Sequence, residues 1–294
     1  MQKFFFLFTL ISFTLFSCDQ KEILFHPGDD SSFIFQTGAD FGHRTVEVFY
    51  HIPEGKVRNM DVLYVLHGTN RNGDEYFEWT KEASRKYPTV LLSPVFTSDL
   101  FPTRDYQSGG IKDANNNYNT PEKMTYKIID DIFEHLVKYS NLKTKHYNII
   151  GHSAGGQFVH RFMLFSDSPY VKTGVASNAG VYTFPDEKIE FPYGMEGYTT
   201  DPKSLRKRYY SRDLTIFLGT ADTIRDRNFP AGPQADLQGL TRFERGQNFF
   251  NRNKKVAENE GAAFNWKMDF IEGVGHAGNR MMPEAVEYIY KNLR

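Results

Sequence analysis

Three residues in this chain carry side chains suited to nucleophilic acyl chemistry, and each follows a short apolar run. Ser153 lies in Gly151-His152-Ser153-Ala154-Gly155-Gly156, directly after Tyr147 to Ile150. Asp222 closes Gly219-Thr220-Ala221-Asp222 after Leu214 to Leu218, and His276 follows Gly275 shortly after Phe264 to Ile271. A serine hydroxyl is a weak nucleophile at neutral pH and needs a base to take its proton as it attacks. His276 is the expected base. Asp222 is expected to fix the imidazole tautomer and to stabilise the imidazolium that forms. Asp226, farther from its strand end, is the alternative acid.

The tetrahedral intermediate of such a reaction carries a negative oxygen, which needs donors already in place. The backbone N–H of Ala154, at the start of a helix, is one expected donor. The N–H of Thr69, in the loop that follows Val62 to Leu66 through His67-Gly68, is the other. Gly151, His152 and Gly155 form the elbow around Ser153. The turn must hold the serine in a strained conformation, with neighbouring elements packed too closely for a Cβ at Gly151 and Gly155; Gly156 reads the same way. His152 is expected to pack beneath the elbow, His67 to shape the oxyanion loop, and His160 to be structural or exposed. No metal or cofactor is called for: Asp113 to Asn117 has cation-ligand residue types but reads as a solvated acidic loop.

These residues need strand ends to hold them. Thr45 to Ile52, Val62 to Leu66, Thr89 to Val95, Tyr147 to Ile150, Thr173 to Ser177, Leu214 to Leu218 and Phe264 to Ile271 read as strands, rich in β-branched and aromatic residues. Several are uniformly apolar, as in strands buried on both faces. Helical spacing places Ile128, Ile132, Leu136 and Tyr139 on one face, and Phe158, Phe162 and Phe165 on another. Gln238 to Glu260 reads as a long charged helix carrying Arg242 and Arg245 on one face, suited to holding a carboxylate. Pro283 to Leu293 reads as a closing helix with proline in its first turn. Strands alternating with helices predict an α/β fold, a mostly parallel sheet with helices on both faces. Residues 180–212 are expected to form a small cap or loop insertion, with Arg206-Lys207-Arg208 on a solvated face. Phe101, Tyr106, Tyr182, Phe184, Phe191 and Tyr193 are candidates for an aromatic pocket wall or for packing the cap.

The order Ser, Asp, His, with each residue at a strand end, matches the α/β-hydrolase arrangement. The chain resembles that superfamily from about Val46 to its C-terminus, through Leu66-His67-Gly68-Thr69, the elbow, Gly219-Thr220-Ala221-Asp222 and Gly275-His276. Within it, the chain looks most like secreted bacterial esterases of the polyhydroxybutyrate-depolymerase and feruloyl-esterase kind. More narrowly, it is similar to a group of bacterial hydrolases sharing Gly-His-Ser-Ala-Gly-Gly-Gln-Phe-Val-His-Arg (151–161) and Gln-Gly-x-x-Arg-x-x-Arg-Gly (238–246). The resemblance implies a serine hydrolase acting on a small-molecule or polymeric carboxylic ester through an acyl-enzyme. A serine peptidase or amidase on the same scaffold is the alternative, and a non-catalytic surface binding lipoprotein is a third reading.

The 294 residues suit one large domain, and 40% hydrophobic with 24% charged residues is ordinary globular composition. A formal net charge of −1 supplies no global field toward nucleic acid. The N-terminus differs in kind. Lys3 precedes a run from Phe4 to Phe16 that is apolar apart from Thr and Ser, and Ser17-Cys18-Asp19 follows. The run is too short to span a bilayer and has the length of a secretory core. It resembles a bacterial lipoprotein signal, with 1–17 removed, Cys18 lipidated, 18–40 a tether, and 41–294 the hydrolase domain. The expected location is outside the cytoplasm, on a cell-envelope membrane held through Cys18. Cys18 is the only cysteine, so no disulfide forms within the chain.

Overall fold

The computed structural model of the chain describes residues 23–292; Cys18 and the signal segment lie outside the described residues. Strands β1 (Asp30–Gln36), β2 (Thr45–His51), β3 (Asp61–Leu66) and β4 (Thr89–Val95) are followed by β5 (Tyr147–His152), β6 (Val171–Ser177), β7 (Asp213–Gly219) and β8 (Lys267–Ile271). They form one eight-stranded sheet in the order β1-β2-β4-β3-β5-β6-β7-β8. β1 and β2 join antiparallel at one edge, and from β4 to β8 every pairing is parallel. This is the mostly parallel sheet with helices on both faces that the strand-and-helix alternation predicts, and the α/β-hydrolase arrangement that the resemblance implies.

The helices are α1 (Gly73–Ser84), α2 (Tyr126–Lys138), α3 (Ala154–Phe165), α4 (Pro202–Ser211), the single turn α5 (Pro233–Asp236), α6 (Arg242–Glu260) and α7 (Gly278–Asn292). Period-two alternation splits the central strands between two cores. Val62, Tyr64 and Leu66 face the side covered by α2, α3 and α6, where Ile128, Phe158, Phe162 and Phe249 pack. Leu63, Val65, Ile150 and Val175 face α1 and α7, where Phe77, Met281, Met282 and Val286 pack. Among the described residues no helix is long and apolar enough to cross a membrane.

The structure departs from the sequence reading at four places. The stretch read as tether to residue 40 contains β1, and the chain docks from Leu24 onward through N–H bonds from Leu24 and Phe25 to Tyr139 O. Phe25 and Phe33 pack against Tyr50 and His135, and this aromatic contact holds the edge strand on the body. The closing helix begins at Gly278, so Pro283 sits inside it; the buried Met281 and Met282 give the extra turn its anchorage. α6 begins at Arg242, where Thr241 Oγ1 accepts the N–H of Glu244 as an N-cap. Arg206 is largely withdrawn from solvent, half-buried between Glu187 and Glu260, whereas Lys207 is exposed as expected. Residues 178–201 are an irregular insertion leading into α4, held by the buried Tyr182, Phe184 and Met195.

α7 is tied to the α1–β4 connection through Glu287, which accepts from Lys86 Nζ (2.5 Å), Tyr87 Oη (2.6 Å) and Lys291 Nζ (2.9 Å). Its carboxyl is lowered from 4.5 to about 2, first by the Lys86 hydrogen bond, then by Tyr87 and Lys291. A depressed carboxyl contributes stability that is present above its unfolded value and is lost as pH falls through its folded value. Urea midpoints measured from pH 5 to pH 2 are therefore expected to fall less steeply for Glu287→Gln than for the wild type.

Candidate active site

Ser153 occupies the turn between β5 and α3 with φ 57° and ψ −113°, a conformation that L-residues rarely adopt. Its N–H donates to Ser177 O (2.9 Å), which pins the turn to the end of β6, and its C=O accepts from Gln157 in the helix. The glycines are explained by close approach. A Cβ at Gly151 would lie 2.4 Å from Gly155 O, and one at Gly155 would lie 2.3 Å from Leu66 O. One at Gly156 would lie 2.5 Å from Ser177 O. All these neighbours are backbone and cannot swing aside.

The structure brings the three sequence-predicted residues together in one line. Ser153 Oγ donates to His276 Nε2 (3.0 Å), and His276 Nδ1 donates to Asp222 Oδ2 (2.8 Å). An ionised carboxylate only accepts, so Asp222 fixes the proton on Nδ1 and leaves Nε2 bare toward the serine. Asp222 is buried, whereas Ser153 and His276 are half-buried at the cleft. The two loops that carry Asp222 and His276 are stitched to each other. Ala221 N donates to Val274 O (3.0 Å), and Gly273 N donates to Thr220 Oγ1 (2.9 Å). Asn178, at φ 45°, accepts from Gly219 N (2.9 Å) and donates to Gly275 O (3.3 Å). It spans both loops from the end of β6.

Asp226 is not the partner of His276. Its carboxylate takes both terminal nitrogens of Arg242, at 2.8 and 3.1 Å. That hydrogen bonding is the main reason its carboxyl stays below the ordinary range. Arg242 also lies 3.5 Å from Asp222 Oδ1, and Arg245 pairs with Asp236 (3.0 Å). Arg242 and Arg245 thus both hold carboxylates, as their spacing suggests.

The other histidines have assignable tasks. His67 is fully buried; its Nε2 accepts from Phe96 N (3.0 Å), so Nδ1 carries the proton and donates to Gly68 O (2.9 Å). Burial pushes it down to about 3, so it stays neutral and braces the loop bearing Thr69. Tyr106 Oη donates to His67 O (2.6 Å) beneath the same loop. His160 is the same kind of strut, accepting from Thr183 N (3.0 Å) and donating to Gly156 O (3.0 Å). His152 packs under the elbow, with Nδ1 2.8 Å from Tyr76 Oη and its ring 4.6 Å from that of His276. Burial holds it neutral, with His276 and Arg242 acting in the same direction.

Gly68, Thr69, Tyr76, Trp79, His152, Ser153, Asn228 and His276 line a cleft of about 170 Å³. Thr69, on the loop after β3, lines the same cleft as Ser153, and Ala154 is the first residue of α3. The aromatic wall differs from the sequence expectation. Phe101, Tyr106, Tyr182 and Phe184 are core side chains, Phe191 and Tyr193 are half-buried in the insertion, and none lines this cleft. Tyr76 and Trp79 do; their spacing on α1 is visible in the sequence but does not distinguish a cleft wall from core. Among the described residues no group of His, Cys, Asp and Glu is placed to hold a metal ion, and Asp113 Oδ1 accepts the N–H groups of its own loop at Asn115 and Asn117.

Solved structures place this geometry in a family. Poly(aspartic acid) hydrolase-1 from Sphingomonas sp. KT-1 is 35% identical over 91% of this chain and 100% of its own, with a TM-score of 0.84. The chain belongs to that family of α/β-hydrolases. LpqC, a poly(3-hydroxybutyrate) depolymerase from Bordetella parapertussis, is 27% identical over 92% of each chain, with a TM-score of 0.82. S-formylglutathione hydrolase from Staphylococcus aureus shares the fold at 14% identity and a TM-score of 0.55, over 89% of this chain and 98% of its own. No family model and no curated protein sequence matches the chain.

Because the elbow depends on backbone contact, Gly155→Ala is expected to force β3 and α3 apart and to destabilise the fold by about 1–3 kcal/mol, the usual cost of overpacking. Urea denaturation monitored by circular dichroism measures this, and an unchanged midpoint would refute it.

Proposed function

We propose that the protein is a serine hydrolase of carboxylic esters, with Ser153 as nucleophile, His276 as general base and acid, and Asp222 as the residue that orients it. The observation that carries this reading is the continuous hydrogen-bonded line from Ser153 Oγ through His276 to Asp222. In the forward step Ser153 Oγ attacks the carbonyl carbon while its proton passes to His276 Nε2. The negative oxygen that develops is received by the N–H groups of Thr69 and Ala154. Collapse of the intermediate expels the alcohol, which takes the proton from His276 and leaves an acyl-Ser153 ester. A water then gives a proton to His276 as it attacks the acyl carbon, and collapse of this intermediate releases the acid while the proton passes from His276 Nε2 to Ser153 Oγ.

A cleft of about 170 Å³ is smaller than the roughly 300–1,000 Å³ typical of pockets that enclose a ligand. It accommodates the scissile group and leaves the rest of a substrate on open surface, which suits an extended or polymeric chain. The depolymerase relative favours an ester bond. The poly(aspartic acid) hydrolase relative favours a second reading, amide hydrolysis, because the units of that polymer are joined by amides. Turnover of matched ester and amide substrates by the soluble domain decides between them. Ester turnover is expected to dominate and to fall by about 10⁶-fold in Ser153→Ala. Amide turnover exceeding ester turnover would select the second reading, and equal turnover by Ser153→Ala would remove the nucleophile.

We further infer export and anchoring through a lipid at Cys18, supported by the apolar run before it and the polar residues after it. Radiolabelled palmitate is expected to enter the full-length protein in bacterial cells and to be lost in Cys18→Ala. Equal incorporation by the two would end this reading.

A further inference from the structure

Arg242 has no part in the hydrolytic steps above, yet it reaches the acid that orients the base. Its side chain is 1% exposed, at the first position of α6. Nη1 lies 3.5 Å from Asp222 Oδ1 and 2.8 Å from Asp226 Oδ2, and Nη2 lies 3.1 Å from Asp226 Oδ1. Since Asp222 Oδ2 accepts from His276, one buried carboxylate is shared between an imidazole and a guanidinium. The surroundings fix the guanidinium. It lies 5.2 Å from the centre of the Phe229 ring, which Arg245 also covers at 4.0 Å. Phe243 N donates to Asp222 O (3.3 Å), so the first turn of the helix grips the acid loop by its backbone as well.

A fully buried cation stabilises a structure only when its charge is matched. Asp222 alone would meet that need by surrendering charge that His276 uses. Asp226 supplies a second carboxylate with the shorter contacts, and its side chain is 36% exposed, so it remains ionised at little desolvation cost. The charged and titratable groups around the Asp222–His276 pair are few. Arg242 comes from α6, Asp226 from the loop after β7, His152 from the elbow, and the Tyr182 hydroxyl from the insertion. Burial keeps His152 neutral and Tyr182 protonated, which leaves Arg242 and Asp226 as the formal charges beside the pair among the described residues.

We propose that Arg242 and Asp226 are a charge-setting pair for the base: Arg242 fixes the Asp222 carboxylate and disfavours the imidazolium of His276, and Asp226 offsets that charge. Arg242 is a positioning residue, acting through Asp222. The proposal rests on the reading of Ser153, His276 and Asp222 as the reacting line. It carries a sign. The acid limb of kcat/KM reports the base of the free enzyme, which must be neutral to act. Removing the cation favours the imidazolium and moves the limb to higher pH; removing the neighbouring anion moves it to lower pH.

The test is an NMR titration of the His276 ring in the wild type, Arg242→Gln, Arg242→Lys and Asp226→Asn, with His276→Gln for assignment. The ring is read without turnover, so the result is independent of which bond the enzyme cuts. Arg242→Gln is expected to raise the midpoint by roughly half a pH unit or more, and Asp226→Asn to lower it by a similar amount. Arg242→Lys is expected to stay near the wild type, because it keeps the charge. The acid limb of kcat/KM should move in the same directions. A midpoint unmoved or lowered in Arg242→Gln, or raised in Asp226→Asn, would overturn the proposal. Asp226→Asn alters a partly exposed side chain, so it decides the sign even if the buried arginine cannot be replaced without unfolding.

Discussion

Everything at this site depends on one strained turn. Ser153 carries a side chain at φ 57°, a conformation costing on the order of 1–3 kcal/mol. The turn persists because the elements on either side are pressed together at distances that exclude a Cβ at three glycines. Their packing outweighs the strain: every residue of α3 is buried, and Phe158, Phe162 and Phe165 alone each contribute about 1.5–3 kcal/mol on burial. β5 lies between β3 and β6 inside the sheet, so both flanks of the elbow are braced, by Leu66 on one side and Ser177 on the other. A serine raised above the sheet in this way faces the cleft on a rigid support.

Histidines divide the remaining work by burial. His67, His152 and His160 are enclosed and held neutral, and His67 and His160 each serve as a two-ended strut with one donor and one acceptor nitrogen. His276 is the histidine at the cleft whose tautomer is set by a carboxylate while its second nitrogen faces a hydroxyl. The same chemical group is thereby a two-ended strut in two places, a buried packing group beneath the elbow in a third, and a candidate base in one. What separates the roles is desolvation and the partner on the second nitrogen.

Much of this was legible in the sequence, for definable reasons. Uniformly apolar strands and a glycine-flanked serine are local signals, so the parallel sheet, α3 and the Ser153, Asp222 and His276 line could be read directly. The arginine spacing 242/245 gave the carboxylate clamps, though not their partners. Other features depend on long-range packing. β1 is an edge strand whose Phe33 and Phe35 find partners in Tyr50 and His135, which no local pattern announces. Asn178 joins two loops distant in sequence, and Tyr76 and Trp79 face the cleft only because α1 packs beside Gly278. The six aromatics chosen by loop position went largely to the core, because large apolar side chains near a sheet are more often buried than exposed to a cleft.

The central claim is that Ser153 is presented for attack with its oxyanion donors already in place. A crystal structure of the protein inactivated with a short alkyl fluorophosphonate examines it most directly. The account predicts phosphorus bonded to Ser153 Oγ, with the phosphonyl oxygen about 2.7–3.1 Å from the backbone nitrogens of both Thr69 and Ala154. An adduct on another residue, or a phosphonyl oxygen turned away from those two nitrogens, would contradict it.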